Sequence, residues 1–217
     1  MTGAAEIFHD IQSRHDFPLS ATIELTRRCN LRCSHCYLDL DDHPGLTGEK
    51  LRSVMDELAR AGTLLLAFTG GEITMREDWL DLARYARKCG FALRLKTNGT
   101  RLNDDEIKAI ADLPVLSVDV SLYSSEPEVH DRVTNRKGSF EQTLRSIEAL
   151  RKCSVRVNAA IPLLNVEGAD LERTSALVRE LGCELLVGHT YCPTLDAERD
   201  NHDFAPPLEL LTQAISK

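Results

Sequence analysis

Three cysteines crowd into eight residues, CNLRCSHC, as Cys29-x3-Cys33-x2-Cys36. Thiols this close on one stretch of chain can all reach a single inorganic centre. An iron–sulfur cluster suits them, and a [4Fe–4S] cube held by three thiolates leaves one iron open to a small molecule. A structural zinc site normally takes four ligands. Zinc would therefore need His35 or a remote residue, and a redox-sensing thiol group is a third reading. His35 sits between two of the cysteines, where its own access to the same metal is awkward. It reads as a surface histidine. The other four cysteines, Cys89, Cys153, Cys183 and Cys192, are scattered. Cys89, Cys153 and Cys183 read as small buried hydrophobes. Cys192 falls beyond the last strand, on the side of the cysteine cluster, and His189, at that strand's end, points near the same opening.

A second group of chemical interest is FTGGEITMRED, holding Gly70, Gly71 and Glu72. Glycines let backbone approach a ligand closely, and a carboxylate or carbonyl suits an ammonium group. Alone, a Gly-Gly turn before a helix is common.

The elements that must carry these groups alternate. Six β-rich stretches read as strands, at roughly 20–26, 63–68, 91–97, 115–122, 154–161 and 184–189. Helical patterns fill the intervals, near 47–61, 77–89, 103–112, 138–152 and 169–181. Thr47 is a fair N-cap without a full capping box. Gly62, Gly90 and Gly182 sit where helices should stop. Such alternation with short links predicts a parallel sheet. Leu116, Val118, Val120 and Leu122 point one way, and Ser117, Asp119 and Ser121 the other. Leu93 and Leu95 likewise oppose Arg94, Lys96 and Asn98. Ile23 and Leu25 oppose Thr22, Glu24 and Thr26, and Val155 and Val157 oppose Arg156 and Asn158. A doubly wound sheet, covered on both faces, would read as continuous apolar runs. One apolar and one polar face instead predict a barrel with outer helices and a hydrophilic interior. Six units are fewer than the eight of a closed barrel. The expected fold is α/β, a partial (β/α)6 TIM-like barrel open at one side. Cys29, Cys33 and Cys36 then lie on a loop at the C-terminal end of the first strand, where such folds place their sites.

The domain reading is an N-terminal extension over 1–19, the barrel over 20–190, and 191–217 as a C-terminal extension or the start of a cysteine-rich domain. The segment LELLTQAISK predicts one last helix. The net charge is −8, from 34 acidic and 26 basic residues. That argues against nucleic acid, which needs a basic face. No apolar run reaches the ~18 residues of a membrane span, and the first residues lack a signal-peptide core. The expected location is cytoplasmic, where thiols stay reduced.

The chain resembles the radical S-adenosylmethionine (SAM) superfamily. The resemblance rests on CNLRCSHCY at the end of strand one and FTGGEI after strand two. PLSATIELTRRCNLRCSHCYLDLDD, ARKCGFALRLKTNGT, VDVSLYSSEPEVHD and GSFEQTLRSIEALR extend it over roughly residues 15 to 190. These stretches look like the catalytic half of SPASM-type enzymes, which often modify ribosomally made peptides and sometimes proteins or cofactor precursors. The resemblance implies that Cys29, Cys33 and Cys36 hold a [4Fe–4S] cluster and that SAM chelates its fourth iron. It makes Gly70-Gly71-Glu72 the motif that binds the SAM amino group. Asn98 and Ser121, ending strands three and four, become polar contacts to SAM, with Ser121 the closer match for the ribose. Asn98 also fits a turn, since Asn-Gly is a turn dipeptide. Arg132 and Arg136 follow strand four, and Arg136 is the choice for the SAM carboxylate, to which a bidentate fork is suited. Asn135 stands where relatives carry arginine. Tyr37 packs on adenine or lids the cluster.

The implied activity is reductive cleavage of SAM to methionine and a 5′-deoxyadenosyl radical, which abstracts a substrate hydrogen. Glu24, Lys96, Asp119, Ser121 and Asn158 would line the interior. The implied partners are a precursor peptide or small-molecule substrate and an electron donor such as flavodoxin or ferredoxin. Two rivals stand beside it: a zinc-binding or redox-switch module, and a scaffold that binds SAM or a peptide without turnover.

Overall fold

A computed structural model of the protein describes residues 18–42, 45–188, 192–193 and 202–215. His189 and nearly all of the proposed N-terminal extension lie outside the described residues. Six strands, β1 (Ser20–Glu24), β2 (Leu65–Thr69), β3 (Ala92–Thr97), β4 (Ser117–Ser121), β5 (Val157–Pro162) and β6 (Glu184–Gly188), form one sheet in the order β1-β2-β3-β4-β5-β6. Every pairing is parallel. Each strand lies beside its predecessor with no reversal of order. A doubly wound sheet reverses direction at a switch point, whereas a strictly sequential order is that of a (β/α) barrel. Right-handed crossovers that all step the same way put every helix on one face. Among the described residues β1 pairs only with β2 and β6 only with β5, so the barrel is partial and laterally open.

The helices are α1 (Gly48–Arg60), α2 (Trp79–Lys88), α3 (Asp104–Asp112), α4 (Pro127–Thr134), α5 (Ser139–Lys152), α6 (Leu171–Glu180) and α7 (Leu208–Ile215). Their starts follow local chemistry. Thr47 Oγ1 accepts from the Lys50 amide at 3.2 Å, a single cap as expected. Asn103 and Glu106 complete a reciprocal capping box at α3. The three glycines expected to stop helices all have positive φ.

The core lies between the helices and the apolar sheet face. Phe68, Leu93, Leu95, Val118, Val120 and Val157 from the strands meet Leu51, Met55, Leu82, Ile107, Ile110, Ile147 and Leu150 from the helices. Each such side chain contributes about 1.5–3 kcal/mol on burial. Cys89 and Cys183 pack against this core as expected, but Cys153 is exposed. It follows α5 directly, and the chain turns there towards solvent.

The opposite face carries the polar alternates. At its centre Asp119 is 2% exposed. Its carboxylate accepts from Asn158 Nδ2 at 2.7 Å and Ser117 Oγ at 3.0 Å, with Arg94 Nε 3.6 Å away. Pairing and hydrogen bonding are what let a carboxylate sit this deep. This polar cluster lies on the inner face of the sheet, below the loops at the strands' C-terminal ends.

Helix α4 was not expected from periodicity, being only eight residues long. Pro127 at its first position and the pair Val129 and Val133 on its buried side were the available signals. It ends on Asn135, whose backbone is left-handed at φ 53°.

Candidate active site

All four loops named from the sequence converge at the C-terminal ends of the strands. The cysteine loop leaves β1, Gly70–Glu72 leaves β2, Asn98 follows β3 and Ser121 ends β4. Cys29, Cys33 and Cys36 are each half-buried. They line one cavity of about 210 Å³ with Gly70, Gly71, Asn98, Ser121 and Tyr123. Tyr37, Lys96 and His35 are among its other lining residues.

Burial pushes the Cys29 thiol up and the Cys33 thiol up to about 12. Two protein donors face Cys29 Sγ: the Leu31 amide at 3.4 Å and Asn98 Nδ2 at 3.9 Å. The site thus holds hydrogen bonds suited to thiolates that a metal centre would ionise.

The cysteine loop is held from two sides. Gly71 N donates to Thr26 O and Glu72 N to Arg28 O, both at 2.8 Å. A side chain at Gly70 would overlap the Thr26 carbonyl, and one at Gly71 the Arg28 carbonyl. These glycines admit the neighbouring backbone of the cysteine loop, in addition to facing the cavity. From the other side comes the end of α4. Ser34 N donates to Val133 O at 2.9 Å, and Asn135 Nδ2 donates to Arg32 O at 2.6 Å and Ser34 Oγ at 3.1 Å. Arg136 Nη1 reaches Asn30 O at 3.5 Å.

Gly71→Ala is expected to destabilise the protein by about 1–3 kcal/mol, as overpacking does. At about 2–4 °C per kcal/mol for a chain this size, a thermal melt should show a drop of several degrees. An unchanged melting point would mean the loop yields freely.

Several expected roles are revised by the geometry. Glu72 is fully buried and does not line the cavity. Its carboxylate accepts from Thr97 Oγ1 at 2.7 Å, the Asn98 amide at 2.7 Å, and Thr74 Oγ1 and N at 2.9 and 3.1 Å. Burial raises its pKa against the opposing pull of these donors. The carboxylate ties the β2 loop to the end of β3, and the faces offered to a ligand here are those of Gly70 and Gly71. Arg136 is likewise spent on the cysteine loop and is not in the cavity wall. His35 is not a surface histidine. Its ring meets Tyr123 edge-on at 5.0 Å, and burial lowers its pKa to about 4. Asn98 serves both readings: Oδ1 accepts from Thr100 N at 2.9 Å in a turn, while Nδ2 faces Cys29 and donates to Asn30 Oδ1 at 3.0 Å. Ser121 is in the cavity wall, and Tyr37 is at the rim, half exposed. Cys192 is exposed and close enough to Tyr37 to raise its pKa slightly, behind burial and Glu24.

Residues 23–178 match the Radical SAM superfamily. The chain belongs to that superfamily. Its members use a [4Fe–4S] cluster and SAM. The radical SAM chain is 34% identical over 191 residues to the AdoMet-dependent heme synthase of Methanosarcina barkeri (strain Fusaro / DSM 804), covering 86% of this chain and 54% of the relative. It is 33% identical over 172 residues to the antilisterial bacteriocin subtilosin biosynthesis protein AlbA of Bacillus subtilis (strain 168), covering 77% and 38%. Among solved structures, Streptococcus suis SuiB bound to precursor peptide SuiA superposes with TM-score 0.77 at 14% identity, covering 98% of this chain and 49% of that one. The chain thus spans about half the length of the relatives it matches or less. The SuiB likeness confirms the partial barrel.

The three thiols fit the superfamily's cluster. All of them open on one cavity, and no fourth protein ligand is needed to hold a cube with one free iron. Among the described residues, no three His, Cys, Asp or Glu side chains converge closely enough for a single metal ion. A cube spaces its thiolates more widely than one ion does. Sequence reasoning missed Tyr123 and the Asn135 clasp. An aromatic two residues beyond Ser121 was the one signal for Tyr123; nothing local marked Asn135. Among the described residues, no helix is long and apolar enough to cross a membrane.

Proposed function

We propose that this chain carries the catalytic barrel of a radical SAM enzyme that acts on a ribosomally made precursor peptide. The observation that supports it most is the single cavity shared by Cys29, Cys33, Cys36, Gly70, Gly71, Asn98 and Ser121. When bound, the cluster and SAM supply a one-electron cleavage giving methionine and a 5′-deoxyadenosyl radical. The protein's part is placement and exclusion of water. Cys29, Cys33 and Cys36 hold the cluster. Gly70 and Gly71 present backbone to the SAM amino group, and Ser121 presents a hydroxyl to the ribose. Tyr37 closes the rim. A second cavity of about 290 Å³ shares Tyr123 as a wall and continues along Ile161, Leu163, Leu164 and Leu210. The aliphatic part of its lining suits an apolar substrate side chain beside the radical's origin, and Asn165, Asp170 and Thr174 add polar groups.

Peptide chemistry is favoured by the bacteriocin-biosynthesis relative and the fold shared with a precursor-peptide-bound enzyme. A haem precursor is the second reading, favoured by the 34% identity to a heme synthase. Anaerobic reconstitution with ferrous iron and sulfide should give a brown protein with about four irons per chain, the content of one cube. Dithionite and SAM should then yield 5′-deoxyadenosine. A colourless zinc protein would overturn the proposal, and a cluster without that product would leave only the scaffold. Deuterium passing into 5′-deoxyadenosine from a labelled peptide, and not from a labelled haem precursor, decides the substrate class.

A further inference from the structure

Tyr123 is only a cavity wall in the reading above, yet its hydroxyl is aimed at a cluster ligand. Its Oη lies 3.9 Å from Cys33 Sγ, at the outer reach of an O–H···S contact. The ring is fixed on several sides. His35 meets it at 5.0 Å and His130 at 5.3 Å between centroids, with Phe140 behind His130 at 5.6 Å. The Tyr123 amide donates to His130 Nδ1 at 3.3 Å, which holds the backbone as well. Burial lowers His130 to about 4, so the imidazole is neutral and that nitrogen accepts. A phenol keeps its proton at neutral pH, whereas a cluster-bound cysteine is a thiolate and can only accept.

We propose that the Tyr123 hydroxyl donates a hydrogen bond to the Cys33 thiolate and thereby raises the reduction potential of the cluster that Cys33 holds. The inference rests on the radical SAM reading of the three cysteines. Reduction adds one electron to the cluster and breaks no bond. The added negative charge spreads onto the thiolates, so a donor at sulfur stabilises the reduced state more than the oxidised one. Hydrogen bonds to the sulfurs are among the groups that set such potentials.

The test is a potentiometric titration of the reconstituted protein with dithionite, followed by electron paramagnetic resonance. It is run without SAM, so that contacts to the nucleotide do not enter. Tyr123→Phe keeps the ring packing and removes only the donor. Its reduced-to-oxidised ratio at the wild-type midpoint should fall by up to about tenfold, a shift of about 59 mV for one electron. Replacing Tyr123 by 3-fluorotyrosine, a stronger donor that still keeps its proton at neutral pH, should move the midpoint the opposite way. A purely structural tyrosine would not give opposite shifts. An unchanged midpoint in the phenylalanine variant overturns the proposal. Should that variant lose its cluster, an unchanged or lowered midpoint in the fluorinated protein overturns it instead. If the wild-type chain forms no cluster at all, the radical SAM reading fails and takes this inference with it.

Discussion

Alanine at any one of Cys29, Cys33 or Cys36 is expected to abolish cluster formation and 5′-deoxyadenosine production while leaving the fold in place. Changes to groups that merely support a metal ligand cost about 10–100-fold in affinity or activity. Loss of a ligand should exceed the upper end of that range. The sulfurs are half-buried on the cavity wall and lie outside both hydrophobic clusters. Their removal leaves no core cavity, so the melting point of the metal-free protein should move by only a few degrees. Iron content, visible absorbance and product yield are the measurements. Product from a variant with all three cysteines replaced by alanine would show that the site has been placed wrongly.

Glu72→Ala should behave in the reverse manner, striking stability before chemistry. The substitution leaves two backbone amides and two hydroxyls facing a void in a place with no solvent. Stranded buried donors cost about 1–3 kcal/mol each where they cannot relax. A total near 3–5 kcal/mol follows, comparable to breaking a buried ionic contact. At about 2–4 °C per kcal/mol, the melting point should fall by roughly 6–20 °C. Glu72→Gln retains one acceptor and should lose less. If Glu72 instead held the SAM ammonium directly, Glu72→Gln would weaken SAM binding with no loss of stability. Calorimetry of the apo protein and SAM titration of the loaded one separate the two roles.

The contrast between these residues shows what spacing can reveal. The strand rhythm and the alternation of Val118 and Val120 against Ser117 and Asp119 are local, and the sheet has the predicted order and faces. Cysteine spacing is local too. The role of Glu72 is not, because its donors come from Thr97 and Asn98 on a different strand end. His35 looked solvent-facing because the ring that covers it belongs to Tyr123. Arg136 fitted an anion by residue type, but its partner is the Asn30 carbonyl on the cysteine loop. Helix α4 escaped because two turns are too few for a hydrophobic period to stand out. The misses at Glu72, His35 and Arg136 each involve a partner far away along the chain, the kind of contact that one-dimensional patterns do not encode.

The clasp on the cysteine loop carries a consequence for biosynthesis. Asn135 and Arg32 are 103 residues apart. The three thiols therefore leave the ribosome long before the segment that shapes them has been made. Iron arriving during translation would meet a slack string of sulfhydryls. Cluster loading is therefore expected to follow completion of the barrel, and apoprotein that accumulates under iron starvation should remain competent for later loading.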